Sequence, residues 1–125
     1  MTPACGGVLV VEDDVDILRA IVQVLEDEGF PVRTAENGQA ALETLRASHE
    51  LPPCVILLDL MMPVMDGWSF RATQLRDPFL SHIPVILLTA GGGAAEKAEI
   101  AQANGALRKP VDLELLLETL GPFLR

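Results

Sequence analysis

At 125 residues the chain is sized for one domain with a single apolar core, and its formal net charge of −9 with no basic stripe excludes a nucleic-acid face, since the summed field repels polyanions. Half of the residues are apolar and only 4% are aromatic, which suits Val, Ile, Leu and Ala layers packed as helix on sheet on helix. No apolar stretch approaches the ~20 residues that would span a bilayer, so membrane insertion is excluded too.

Met1-Thr2-Pro3-Ala4 lacks the basic and apolar regions of a signal peptide, and the reading places the protein in the cytoplasm. Cys5 and Cys54 lie far apart, form no C-x-x-C, and are read as reduced thiols, Cys54 as a small core residue. Short β-branched runs then alternate with helical stretches, the pattern of repeated βα units on a parallel sheet. Strands are expected near 7–11, 31–35, 54–58, 84–88 and 105–108.

Ile17, Leu18, Ile21, Val24 and Leu25 form a stripe of helical period that stops at Gly29. Asn37 stands as the N-cap of a second helix with Ala40, Ala41, Leu42 and Leu45 on its apolar face. Pro52-Pro53 forces extended backbone ahead of the third strand. Asp66-Gly67 opens a third helix carrying Trp68, Phe70 and Leu75, and Asp77-Pro78 closes it. Pro84 starts the fourth strand, where its missing N–H does least harm. Gly91-Gly92-Gly93 reads as a mobile loop before a short Ala-rich helix ending near Asn104-Gly105. Leu113, Leu116, Leu117 and Leu120 mark one face of the last helix, with Leu115 off that stripe.

Chemically capable residues follow the apolar runs. Glu12 and Asp13 come after Val8-Leu9-Val10-Val11, Asp59 ends Val55-Ile56-Leu57-Leu58, Thr89 follows Val85-Ile86-Leu87-Leu88, and Lys109 follows Ala106-Leu107-Arg108. On parallel strands all of them emerge at the carboxyl edge of the sheet, where open α/β sheets hold their ligands. Three carboxylates in one crevice repel one another unless a cation sits between them, and hard oxygen donors with room for water suit Mg²⁺. Taken singly, each residue has a plainer role: an acidic pair after a strand caps the next helix, a lone Asp makes a turn, and a lone Lys is solvated. Asp14 and Asp16 are read as helix-dipole charges, and the isolated His49 and His82 as surface or packing residues.

Joint occurrence in this order carries a resemblance. Val10-Val11-Glu12-Asp13-Asp14, Leu58-Asp59-Leu60-Met61-Met62-Pro63-Val64-Met65-Asp66-Gly67, Leu88-Thr89-Ala90 and Lys109-Pro110 resemble the motifs of the receiver domain of two-component response regulators, from about Val8 to the C-terminus. The resemblance implies a flavodoxin-like (βα)5 fold, a doubly wound parallel sheet of order 2-1-3-4-5, and a single CheY-like receiver over 1–125 with no output domain in this chain. It assigns Asp59 as the phosphoacceptor, with Asp13, Asp59 and the Met61 backbone carbonyl on Mg²⁺ and Glu12 reaching it through water. Lys109, the Thr89 hydroxyl and the Ala90 N–H would bind the phosphoryl oxygens, and the Lys109-Pro110 bond would be cis. The partners it implies are a sensor histidine kinase or a histidine phosphotransfer protein upstream and an unknown protein downstream. Such a domain is not an enzyme toward other substrates; it catalyses only its own phosphorylation and dephosphorylation.

Several positions depart from the family's pattern. Ala106 stands where a Tyr or Phe normally swings inward with the threonine, and Val111 stands where Phe is common. Met61 and Gly91 flank the approach of hydrolytic water, and neither side chain can orient it.

Other functions remain open. A phosphate relay or sink, or a constitutive scaffold, fits Ala106. A haloacid-dehalogenase-type phosphohydrolase would need D-x-D, whereas Asp59-Leu60-Met61 lacks the second Asp. A flavodoxin-like cofactor binder would offer Ser, Thr and Gly at the first turn, where Glu12-Asp13-Asp14 repels phosphate.

Overall fold

The computed structural model describes residues 5–47 and 51–124. Met1-Thr2-Pro3-Ala4 and His49 lie outside the described residues. The chain runs β1 (Val8–Val11), α1 (Val15–Asp27), β2 (Val32–Ala35), α2 (Gly38–Ala47), β3 (Val55–Asp59), α3 (Gly67–Arg76), β4 (Val85–Thr89), α4 (Ala94–Ile100), β5 (Gly105–Arg108) and α5 (Leu113–Leu124). All strand pairs are parallel, in the order β2-β1-β3-β4-β5. The fold and strand order expected from the sequence are the ones observed.

Side-chain alternation along the strands divides the core into two layers. Leu9, Val11, Ile56, Leu58, Val85 and Leu87 face α2, α3 and α4, with Leu42, Phe70 and Ala98 packed on them. Val8, Val10, Val55, Leu57, Ile86 and Leu88 face α1 and α5, which supply Ile21, Leu25, Leu116 and Leu120. Every residue of β1, β3 and β4 is buried, because helices cover both faces.

Local chemistry sets the helix ends. The Asp14 carboxylate accepts hydrogen bonds from the N–H groups of Asp16 and Ile17, Asn37 Oδ1 accepts from Ala40 N–H at 2.8 Å, and Asp66 accepts from Ser69 N–H at 2.8 Å. At Gly67 the first turn of α3 lies against the end of β3: a Cβ there would run into the Asp59 carbonyl and, at 2.8 Å, the Leu60 Cα. The close approach that puts α3 behind the site therefore requires glycine.

Two expectations need correction. The Ala-rich helix ends at Ile100, not near Asn104-Gly105, because Gln102 takes a left-handed conformation, φ 54°, and turns the chain toward β5. In α5 the stripe narrows: Leu116 and Leu120 are fully buried, while Leu113 is 36% exposed; Leu115, which the sequence sets off the stripe, is 48% exposed.

The cysteines were the larger miss. Cys5 and Cys54 form a disulfide, with their Cα atoms 5.0 Å apart, and are not the reduced pair read from the sequence. The parallel register Val8↔Val55 sets the segments leading into β1 and β3 side by side, which a separation of 49 residues conceals. The Cys54 N–H donates to the Gly7 carbonyl at 2.7 Å, and the Gly6 N–H donates to the Pro52 carbonyl at 2.7 Å. Closing a loop of that length removes denatured-state entropy worth about 4 kcal/mol. Reduction, or Cys54→Ser, is therefore expected to lower the urea midpoint by the equivalent of ~2–4 kcal/mol; unchanged midpoints with and without reductant would contradict the crosslink.

Candidate functional site

The register carries the acids together. Val11 pairs with Leu58, so Glu12 and Asp59, each one residue farther along, are neighbours across the β1/β3 boundary. Asp59 in turn pairs with Leu88, directly before Thr89, and Thr89 pairs with Arg108, directly before Lys109. The Lys109 N–H donates to the Thr89 carbonyl at 2.7 Å, and the Lys109–Pro110 peptide bond is cis.

Carboxylate oxygens of Glu12, Asp13 and Asp59 all lie within 4.8 Å of one another. Glu12 is fully buried and Asp59 only 3% exposed, whereas Asp13 faces solvent. The Lys109 ammonium stands 2.7 Å from Glu12 Oε1 and 3.3 Å from Asp59 Oδ2. Backbone donors hold the other oxygens: Asp14 N–H to Glu12 Oε2 at 3.2 Å and Met61 N–H to Asp59 Oδ1 at 3.2 Å. Thr89 is 1% exposed, and its hydroxyl has no hydrogen-bond partner among the described residues. A buried hydroxyl left unpaired costs free energy, which fits a group waiting for an external acceptor.

Burial and the neighbouring Asp59 raise the Glu12 carboxyl from 4.5 to about 7, although Lys109 and the Asp14 N–H act in the opposite direction. One ammonium does not offset the desolvation of two buried acids. Burial alone would lower the Lys109 pKa, but the hydrogen bond and charge of Glu12 and the charge of Asp59 overcome it and leave the pKa raised. Three oxygen donors at this spacing, short of positive charge, fit a hard divalent cation.

The structure thus gathers Glu12, Asp13, Asp59 and Lys109 at one point and sets Thr89 on the adjoining strand. Ala90 is exposed at the start of the next loop. Met61, expected to offer only its carbonyl, holds its side chain 73% exposed, which leaves that side chain out of the cluster. Val64, in the same loop, sits at φ 67°, a strained conformation for a β-branched residue that the sequence reading did not anticipate. Trp68 is half-buried against the core layer beside α3, as a packing residue should be, and His82 is exposed.

The sequence pattern of the response regulator receiver domain matches residues 8–121. The chain belongs to the response regulator receiver family. It is 32% identical to Protein PilH of Pseudomonas aeruginosa, over 94% of this chain and 96% of that one. It is also 37% identical to the response regulator PleD of Caulobacter vibrioides, over 94% of this chain and 26% of that protein. Against the CpxR homolog of Haemophilus influenzae, a transcriptional regulatory protein, it is 35% identical and spans 49% of the length. The chain thus spans about half or less of some curated relatives and nearly all of another. The chemotaxis response regulator CheY4 of Vibrio cholerae superposes with a TM-score of 0.84 at 31% identity, over 97% of this chain and 100% of that one. A receiver domain is a signalling domain of two-component systems. No helix among the described residues is long and apolar enough to cross a membrane.

The raised Glu12 pKa has a consequence for stability. A carboxyl that binds its proton more tightly folded than unfolded stabilises the fold fully below about pH 4.5, and that contribution is lost as pH rises through about 7. In metal-free solution, the wild-type urea midpoint is expected to fall relative to that of Glu12→Gln between these two values, and a divalent cation should reverse the fall. Parallel pH profiles for the two proteins would contradict the burial argument.

Proposed function

We propose that Asp59 is the phosphoacceptor of this receiver, with Mg²⁺ as its cofactor and a sensor histidine kinase or histidine phosphotransfer protein as its donor. One observation carries the reading: a nearly buried Asp59 carboxylate lies 3.3 Å from the Lys109 ammonium, with Glu12 and Asp13 close enough to share a cation with it. Asp13, Asp59 and the Met61 carbonyl would hold the ion, and Glu12 would reach it through water. When bound, Mg²⁺ would neutralise the negative charge of carboxylate and phosphoryl oxygens.

A carboxylate oxygen of Asp59 attacks the phosphorus of a phosphohistidine; the new O–P bond forms as the P–N bond breaks, and the imidazole leaves with the electron pair and takes up a proton. Phosphoryl transfer asks mainly for positioning and charge neutralisation. Lys109 supplies a point charge to the phosphoryl oxygens. The Thr89 hydroxyl, which has no partner among the described residues, donates to one of them, and the Ala90 N–H donates to another. Water then hydrolyses the acyl phosphate. This catalysis serves the domain's own phosphorylation and dephosphorylation only.

Incubation with Mg²⁺ and acetyl phosphate should add the mass of one phosphoryl group to the wild type and none to Asp59→Asn. Equal labelling of both proteins would overturn the assignment. The exposed Met61 side chain and Gly91 provide no group to orient hydrolytic water, so we expect the phosphorylated protein to persist for minutes or longer. Loss of the added mass within seconds would show that another residue orients the water.

A second reading draws on Ala106, which packs half-buried against the core with no rotamer to swing. On that ground the domain is also suited to relaying or storing phosphate, or to serving as a constitutive scaffold, with an unknown protein downstream. We place it in the cytoplasm, where histidine kinases present their phosphodonor. That compartment keeps thiols largely reduced, so the Cys5–Cys54 bond would close there only under oxidising conditions.

A further inference from the structure

Midway along α3 lies a buried cation that the phosphoacceptor chemistry does not use. Arg71 is 5% exposed, and no carboxylate among the described residues pairs with it. Its guanidinium donates instead to three neutral oxygens: the Ala101 carbonyl at 3.0 Å, the Gln102 carbonyl at 2.7 Å and Gln74 Oε1 at 2.7 Å. Gln74 is fully buried as well, and its amide donates to the Leu80 and Ile83 carbonyls at 2.9 and 3.0 Å. Desolvation lowers the guanidinium pKa without a compensating charge. Burying a charge against carbonyls alone is expensive and persists only where the geometry over-determines it.

The two carbonyls lie at the C-terminal end of α4, where Ala101 is the C-cap and Gln102 takes its left-handed turn. A cation there satisfies carbonyls left without intrahelical partners and complements the helix dipole. The other end of α4 differs. Its N-cap is Gly93, at φ 77°, with no side-chain cap, and Gly91 and Gly92 precede it with open space around both. That soft end is joined through Ala90 directly to Thr89, on the strand beside Asp59.

We propose that Arg71 is a positioning residue that pins the C-terminal end of α4, so that a change starting at Thr89 is confined to the glycine loop and the first turn of α4. The proposal rests on Asp59 being the phosphoacceptor, and it gives the domain a route for its signal without an aromatic at position 106. The moving part is the segment 90–97, and the fixed part is 98–104. Gln74 braces the pin from the α3 side by holding the loop that leads into β4. The exposed Lys97 ammonium, 3.2 Å from the Ala90 carbonyl, rides on the moving end.

Amide hydrogen exchange of the intact chain, with and without Mg²⁺ and beryllofluoride, tests this. In the wild type the analogue should change exchange in 90–97 by about tenfold while leaving 98–104 within about twofold. Arg71→Met should speed exchange in 98–104 by about 10- to 100-fold without any analogue, and should let the beryllofluoride response spread into that segment. Arg71→Lys, which keeps the charge and loses the fork, should fall between the two. Should Arg71→Met unfold, the wild-type gradient and Arg71→Lys decide the matter. An equal wild-type response at both ends of α4, or unchanged protection of 98–104 in the variants, would overturn the pin. ¹⁹F NMR of bound fluoride reports the adduct separately: its absence would count against Asp59 as acceptor, while the analogue-free comparison still judges Arg71.

Discussion

Two buried acids and one ammonium set the character of this molecule. Lys109 lies between Glu12 and Asp59 at ion-pair distance from both, and its single charge leaves the cluster negative once Asp13 is counted. Three carboxylates so placed could hold a divalent cation between them. The sheet register, the cis bond at Lys109–Pro110 and the glycine that brings α3 against β3 all bear on that arrangement. Moving β3 by one residue would turn the Asp59 side chain to the other face.

The rest of the fold can be understood as what makes such a cluster tolerable. Continuous apolar strands covered on both faces give a rigid floor, and the acidic cluster sits at its carboxyl edge, where the turns after β1 and β3 supply N–H donors from Asp14 and Met61. At the opposite edge, the Cys5–Cys54 bond ties the segments leading into the same two strands. Stability thus comes from one end of the β1/β3 pair and strained electrostatics lie at the other.

Much of this was legible in the residues themselves. Strand positions followed from β-branched runs separated by turn residues, the starts of α2 and α3 from Asn37 and Asp66, and the gathering of Glu12, Asp13, Asp59 and Lys109 from their shared place just past a strand, whereas Asp14, read as a helix-dipole charge, is the N-cap of α1. What escaped were features set by the third dimension. The disulfide depends on which segments the register sets side by side, and no local pattern encodes that. Arg71 and Gln74 look like ordinary polar positions on a weakly amphipathic helix, yet both are buried, because their partners are carbonyls that carry no side-chain signature. The end of α4 was misplaced because a glutamine, not the nearby glycine, takes the left-handed turn.

The central claim is that these acids share a divalent ion beside Lys109, and a crystal structure grown with saturating Mg²⁺ tests it most directly. The account predicts an octahedral ion at about 2.0–2.1 Å from Asp13 and Asp59 oxygens and the Met61 carbonyl, with water completing the sphere toward Glu12. Difference density showing no ion in that crevice, or an ion bound by other residues while Glu12, Asp59 and Lys109 stay as they are, would contradict it.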